Sequence, residues 1–109
     1  MTEPQAAFRA LADPSRRAIL MHLSERDMSI GDVAEHFSMT RAAIKKHLTV
    51  LEEGRLISVH TQGRERINRL EPAGLKPIAG WIAYFEQFWD ERLKSLENAI
   101  DTHEEERDD

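Results

Sequence analysis

The cations between positions 41 and 69 are the residues of this sequence best suited to binding chemistry. This stretch holds seven basic and three acidic residues, a net charge of +4. Residues 81–109 hold three basic and ten acidic residues, so the overall net charge of −5 conceals a basic region. Because the local field at a contact surface matters more than the total charge, this composition is compatible with a polyanionic partner.

One face of the helix predicted for residues 41–53 combines cations with small side chains. Ile44, Leu48 and Leu51 follow helical spacing, and we expect them to pack inward. The opposite face then shows three cations and two small residues, namely Arg41, Ala42, Lys45, Lys46 and Thr49. A face this slim fits the major groove of DNA, which admits one helix.

DNA binding is the chemistry that this face predicts. Arg41 and Lys45 suit guanine edges, whereas Lys46 and the Thr40 hydroxyl suit phosphate oxygens. His47, at the border of the face, is expected to donate to a phosphate oxygen. The alternative interpretation is an ordinary amphipathic helix with a solvated basic side, since charged exposed faces are common.

The elements before this helix place it second in a helix-turn-helix. Ser29 and Asp32 have the spacing of a capping box, which predicts a short helix through His36. Thr40 is the expected cap of the next helix, and Gly54 is its expected end. A short helix, a tight turn and a second helix together make the motif.

A β-hairpin is predicted directly after the helix-turn-helix. Residues 56–60 and 65–70 are typical of short strands, and Gly63 supplies the positive φ of the turn between them. Arg64 and Arg66 flank this turn. Such a wing would lie along the DNA backbone or in the minor groove beside the basic helix, which favours DNA binding over a merely solvated face.

Helices are also predicted at both ends of the chain. The first covers about residues 4–12, and Asp13 followed by Pro14 starts a second that runs to about Glu25. The last begins around residues 72–77. We therefore expect a mainly α-helical fold with a small β-hairpin.

The 109 residues fit one compact domain, which we assign to residues 1–101. Its last helix, about 75–101, is the expected dimerisation helix. The acidic segment after it, residues 102–109, is expected to be disordered.

The last helix carries a wide apolar face that is rich in aromatic residues. Trp81, Phe85, Phe88 and Trp89 fall within nine residues, more apolar surface than one helix on a small core needs. Later apolar residues continue the spacing of three and four that is typical of helix-on-helix packing. We expect a dimer through this face; the alternatives are a helix packed within its own core and a ligand pocket among the aromatics.

Three segments together resemble the ArsR-type (arsenic-repressor-like) winged helix-turn-helix regulators. They read FRALADPSRRAILMHL, SIGDVAEHFSMTRAAIKKHLTVLEEGRLI and QGRERINRL, and the resemblance covers residues 8 to about 97. It implies a homodimer that dimerises through its first and last helices. It also implies repression of transcription from a palindromic operator, often in the protein's own promoter.

The resemblance also implies contact residues. Together with the exposed face described above, it gives as DNA contacts Thr40, Arg41, Lys45, Lys46, His47, Thr49, Arg64 and Arg66. It gives as dimer contacts Phe8, Leu11, Trp81, Phe85, Phe88, Trp89, Leu93 and Leu96. In two places the sequence departs from the family pattern. Lys45 replaces a small hydroxyl residue, and Gly54-Arg55 replaces the usual Ala-Gly at the joint after the helix.

Metal sensing and catalysis are disfavoured. Cysteine is absent, so the thiolate ligands that some relatives carry on the third helix are missing. The last helix has no histidine before His103, whereas zinc needs about four well-placed ligands, usually nitrogen or sulfur. The five histidines are scattered, and no Ser–His–acid set or glycine-rich phosphate loop occurs. We expect neither an enzyme nor a cofactor.

We interpret the chain as a homodimeric repressor that binds double-stranded DNA. The ending WIAYFEQFWDERLKSLENAI resembles that of a non-metal-sensing subgroup of the family. With no apolar span and no export signal evident, we expect a cytoplasmic protein. The alternatives are a protein-interaction module that kept the winged-helix shape, a regulator that responds to a small organic effector, and a metal switch at the His103 tail.

Overall fold

The computed structural model describes residues 4–107, without the side chains of residue 90 and residues 101–107. Its fold divides into two compact units, residues 1–78 and 79–109. The predicted mainly helical fold with a small sheet is confirmed. In chain order the elements are α1 Gln5–Leu11, α2 Pro14–Glu25, β1 Met28–Ser29, α3 Ile30–Ala34, α4 Arg41–Glu53, β2 Ile57–Gln62, β3 Glu65–Leu70, a 3-10 turn Pro72–Leu75 and α5 Lys76–Arg107.

Side-chain caps start three of the helices at the predicted residues. Asp13 caps α2. The Ser29 hydroxyl accepts a hydrogen bond from the backbone N–H of Asp32, whose carboxylate accepts one from the backbone N–H of Ser29, both at 3.1 Å. The Thr40 hydroxyl accepts from the backbone N–H of Ala43 at 3.1 Å. These bonds satisfy N–H groups that have no partner inside the helix, so they fix where each helix begins.

A short strand that sequence reasoning missed joins the hairpin. β1 pairs antiparallel with β3, Met28 opposite Asn68, so that the sheet order is β1-β3-β2. The buried Asn68 side chain donates to the Met28 carbonyl at 3.1 Å and strengthens this pairing. A strand of two residues is too short to show alternation in a sequence. The helix after it, α3, ends at Ala34 instead of the predicted His36.

The hairpin has the predicted turn. β2 and β3 pair antiparallel, with His60 opposite Ile67 and Gln62 opposite Glu65. Gly63 has a φ of 64°, the left-handed region that glycine enters without steric cost. The predicted role of this glycine is confirmed.

Helix α4 ends at Gly54 as predicted, and the left-handed residue of the joint to β2 is the one after it. Gly54 keeps a right-handed φ of −77°, and the left-handed residue is Arg55, with a φ of 61°. The backbone N–H of Leu56 bonds to the Leu51 carbonyl at 3.0 Å, which closes the helix in a Schellman-type end with Arg55 at its left-handed position. Gly54 is needed for another reason: a Cβ there would lie 2.9 Å from the Ala6 carbonyl oxygen of α1.

The hydrophobic core of the first unit holds α4 in place. Ile44, Leu48 and Leu51 are buried, which confirms the predicted inward face of this helix. They belong to one cluster with residues of α1, α2, α3 and the sheet. The largest fully buried side chains are Ile19, Met28, Val33, Ile44, Leu51 and Leu56.

Helix α5 is longer than predicted. It runs to Arg107, beyond the expected end near residue 101 and into the expected disordered tail, whose glutamates are good helix formers. Residues 108–109 of that tail lie outside the described part of the chain. No described helix is both long enough and apolar enough to cross a membrane.

Candidate nucleic-acid interface

An open groove lies between α4, the hairpin and the first turn of α3. Its volume is about 480 Å³. Five of the eight residues predicted to contact DNA line it: Arg41, Lys45, Thr49, Arg64 and Arg66. Sequence reasoning had placed these residues on two separate elements, and the fold brings them into one groove.

Besides the buried Leu48, four side chains of α4 line this groove in a single stripe. Arg41, Lys45, Thr49 and Glu52 are spaced by three or four residues, which places them on one helical face beside the buried one. All four are exposed. The Thr49 hydroxyl donates to the Lys45 carbonyl at 2.9 Å, so this hydroxyl offers lone pairs, not its proton, to a partner.

The wing supplies two further cations. Arg64 follows the Gly63 turn, and Arg66 lies opposite Thr61 in the hairpin. Both arginines are exposed, whereas the next residue, Ile67, is buried in the sheet. The buried residues of β3 therefore anchor a tip whose charged side chains remain in solvent.

The groove cations have no ion-pair partner among the side chains that the structure describes. The ion pairs present there lie elsewhere in the chain and join Arg26 to Asp32 at 3.7 Å and Arg69 to Asp27 at 3.0 Å; His47 Nδ1 lies 3.9 Å from the Asp13 carboxylate. Four cations against two carboxylates, Glu52 and Glu65, leave the groove lining positive. Such a surface attracts an external anion, and phosphate groups are the anions that DNA offers in series.

Gly31 at the start of α3 makes room for Arg41. A Cβ on Gly31 would lie 3.1 Å from Nη2 of Arg41, so the guanidinium lies directly against the α3 backbone. Sequence reasoning missed Gly31, because its role depends on the approach of two helices.

Three predicted DNA contacts lie outside the groove lining: Thr40, Lys46 and His47. The Thr40 hydroxyl accepts a cap bond and keeps its own proton available to donate. His47 points toward α2, with Nδ1 3.4 Å from Nη1 of Arg16 and 3.9 Å from Oδ2 of Asp13. A DNA contact by these three residues stays a prediction.

The Asp-Pro-Ser-Arg-Arg segment joins α1 to α2. Arg16 donates to the carbonyls of Ala10 at 2.7 Å and Arg9 at 2.9 Å, and Arg17 donates to the carbonyl of Leu11 at 2.7 Å. These carbonyls lie in the last turn of α1, where the helix offers few further backbone donors; the Arg9 carbonyl also accepts a bond from the Ala12 N–H at 3.3 Å. The segment carried the family resemblance in the sequence, and in the structure it has this capping role.

Two capping carboxylates have lowered pKa values. The pKa of Asp13 lies below its ordinary value chiefly because the backbone N–H of Arg16 donates to the carboxylate, with the nearby charges of Arg16 and His47 adding to the effect. The pKa of Asp32 is lowered chiefly by the hydrogen bond from the backbone N–H of Ser29. Both groups are therefore ionised at neutral pH and act as charged helix caps.

No cluster of three or more metal-ligating side chains occurs among the described residues. Two of the histidines, His22 and His36, stack with ring centroids 4.0 Å apart and planes 19° apart. The lone pairs of the ring nitrogens lie in these two nearly parallel planes, so they do not converge on one ion. The side chain of His103 lies outside the described residues, and the absence of a metal site stays an expectation.

Comparisons with known proteins agree with this geometry. Residues 13–59, which contain the helix-turn-helix, match the family described as "Bacterial regulatory protein, arsR family". The chain is 32% identical over 99 residues to the HTH-type transcriptional regulator Rv2034 of Mycobacterium tuberculosis, covering 91% of this chain and 90% of that protein. It is 37% identical over 78 residues to the transcriptional repressor SdpR of Bacillus subtilis, covering 72% and 87%.

Solved structures show the same fold. An ArsR-like transcriptional regulator from Rhodococcus sp. RHA1 superposes with a TM-score of 0.70 at 33% identity, covering 86% of this chain and 89% of that one. A protein of Mycobacterium bovis, Mb0332, described as a homodimeric winged helix-turn-helix DNA-binding domain, matches in fold with a TM-score of 0.59 at 22% identity, covering 82% and 80%.

The groove, its wing and these relatives define a winged helix-turn-helix of the class that regulates transcription. The chain belongs to the arsR family of bacterial regulatory proteins.

Proposed function

We propose that this protein is a sequence-specific transcriptional repressor that binds a palindromic operator as a homodimer, including an operator in its own promoter. The observation that carries the proposal is the groove between α4 and the wing, whose cations have no ion-pair partner among the described side chains. Its relative in Bacillus subtilis is described as a transcriptional repressor, which supports repression, as opposed to activation, of transcription.

Helix α4 and the wing contact different parts of the DNA. Arg41 and Lys45, on the first two turns of α4, bind guanine edges in the major groove. Arg64 and Arg66 bind the backbone or the minor groove beside it. The exposed N-terminus of α4 adds free N–H groups and a positive dipole end for a phosphate.

Helix α5 supports the homodimer. Its large apolar residues are exposed, including Trp81 at 56%, Trp89 at 50% and Leu96 at 57%. Exposed apolar residues in such number on one helix are typical of a protein–protein interface. A dimer with two-fold symmetry would space two copies of α4 about 34 Å apart, which is the distance between successive major grooves. The homodimeric fold neighbour supports this assembly.

We also assign the protein to the subgroup of the family that does not respond to metals. The sequence has no cysteine, and no group of metal ligands assembles in the described residues. Release from DNA then follows either from a fall in the protein's own concentration or from the binding of an organic effector.

Selection from randomised duplex DNA with purified protein, combined with sedimentation of the free protein and of its complex, tests the proposal. We expect a dimer in both states and a selected sequence with two inverted half-sites about one helical turn apart. Recovery of the selected sequence from the protein's own promoter would support autorepression. A monomer bound to a single half-site, or no selected sequence, would contradict the proposal.

A further inference from the structure

The groove contains a carboxylate that the binding of phosphate does not explain. Glu52, on the last turn of α4, lines the groove together with Arg41 and Lys45. The adjacent residue, Glu53, has the same charge and is also exposed, but it does not line the groove. Of these two neighbouring glutamates, Glu52 alone therefore lies in the groove between α4 and the wing.

The exposed Glu52 carboxylate is hydrated in the free protein, and DNA that displaces this water must supply a hydrogen-bond donor in its place. An ionised carboxylate accepts hydrogen bonds and donates none. Among the described side chains, Glu52 belongs to no ion pair and receives no hydrogen bond. Phosphate oxygens are acceptors and carry the same charge, so they would be repelled from Glu52.

The major groove of DNA offers few donors. Cytosine presents its N4 amino group and adenine its N6 amino group, whereas the guanine and thymine edges present acceptors there. Of the two amino groups, cytosine N4 is the usual partner of a glutamate, while adenine suits an amide that donates and accepts at once. The stripe from Arg41 to Glu52 thus presents cations at one end, which suit guanine, and an anion at the other, which suits cytosine.

We propose that Glu52 is a specificity-determining residue that accepts a hydrogen bond from cytosine N4 at one position of each half-site. It excludes guanine and thymine from that position and disfavours a phosphate there. This inference rests on the proposed function, because it requires α4 to lie in the major groove. Glu65 also lines the groove, but it belongs to the wing and has no place on the stripe of α4.

The test compares glutamate variants at two adjacent positions. Glu52→Ala and Glu52→Gln are measured against the matched controls Glu53→Ala and Glu53→Gln, which remove the same charge one residue away. The probe is the duplex that the wild-type protein selects, together with a set in which each base pair is replaced in turn. Affinity is read from fluorescence anisotropy, and circular dichroism checks that the helix content of all variants is equal.

We expect the wild-type protein to prefer cytosine about tenfold at one position of each half-site. Glu52→Ala should lose this preference, and Glu52→Gln should shift it toward adenine, because glutamine pairs with adenine N6 and N7. The Glu53 variants should keep the wild-type profile. The inference is overturned if Glu52→Ala keeps the cytosine preference, or if Glu53→Ala loses it to the same extent. If the wild-type protein selects no sequence at all, the proposed function fails and the inference fails with it.

Discussion

The carbonyl oxygen of Arg55 lies so close to Gly74 that a Cβ on Gly74 would be 1.9 Å from it. Arg55 belongs to the joint between α4 and β2, and Gly74 belongs to the 3-10 turn that follows the hairpin. On the other side of the same joint, Gly54 lies against the carbonyl of Ala6. Both sides of the joint are thus confined by backbone, which fixes the direction in which the wing leaves the end of α4.

Gly74→Ala is expected to destabilise the fold. The new methyl group would meet backbone atoms, which move less readily than the end of a side chain, so we expect a loss of about 2–3 kcal/mol in the free energy of unfolding, measured in urea. Gly80→Ala is the matched control, because nothing lies within 4 Å of a Cβ there and the residue is within α5. That change should raise stability by about 0.5–1 kcal/mol. Equal stability of the two variants would contradict the close contact.

Arg55 is expected to bear backbone strain, because its φ of 61° is one that glycine adopts more readily than arginine. We expect stability to follow the order Gly, Arg, Val at this position. Arg55→Gly should gain about 0.5 kcal/mol, since relief of strain exceeds the entropic cost of glycine, and the β-branched Arg55→Val should lose about 1–2 kcal/mol. Urea unfolding of the three proteins measures this, and a glycine variant less stable than the valine one would refute the left-handed assignment.

Acid should weaken the cap of α2. The pKa of Asp13 is lowered from its ordinary value of 3.8, chiefly by the hydrogen bond from the backbone N–H of Arg16. A carboxyl group with a lowered folded-state pKa stabilises the fold above its unfolded pKa, and this contribution is lost as the pH falls through the folded value.

Asp13→Asn tests this linkage, because asparagine keeps a capping oxygen and does not ionise. We expect the wild-type protein to be more stable than this variant near neutral pH, and the difference to shrink as the pH falls below about 4. Unfolding in urea at a series of pH values measures the difference. A difference that stays constant with pH would show that the charge of Asp13 plays no part.

Local signals in the sequence predicted most of the fold. Three helix starts are predictable from Asp13, Ser29 and Thr40, because the side chains of these residues accept hydrogen bonds from backbone N–H groups only a few residues away. Gly63 likewise marks its turn through its own φ. Strand β1 gave no such signal, since a strand of two residues exists only through its pairing with β3. Gly54 ends α4 as predicted. Its close approach to α1 was not predictable, because that contact depends on how two helices pack.

The candidate site was predicted in part. The exposed cations of α4 follow from helical spacing, and the wing cations follow from their place beside a turn. That Arg41 and Arg66 line one groove depends on tertiary packing, as does the contact of Gly31 with Arg41. Glu52 was counted in the sequence only as a charge that offsets the cations, and its position in the groove gives it a candidate role.

Lys45→Ala and Arg64→Ala should weaken DNA binding in different ways. Loss of a base contact by Lys45 should cost about 1–3 kcal/mol on the selected duplex and little on unrelated DNA. Loss of a phosphate contact by Arg64 should weaken binding to all sequences and reduce the salt slope by about one. Anisotropy titrations on both kinds of DNA separate the two effects. Identical changes in specific and unrelated binding for both variants would contradict the division of roles.

The salt dependence of wild-type binding to its selected duplex tests most directly whether the groove between α4 and the wing is a DNA-binding surface. Because two copies of this groove would displace counterions from a series of phosphates, we predict that affinity falls by about 10³-fold or more between roughly 50 and 200 mM salt. Binding that does not change with salt, or the absence of binding to any duplex at the lower salt concentration, would contradict the account.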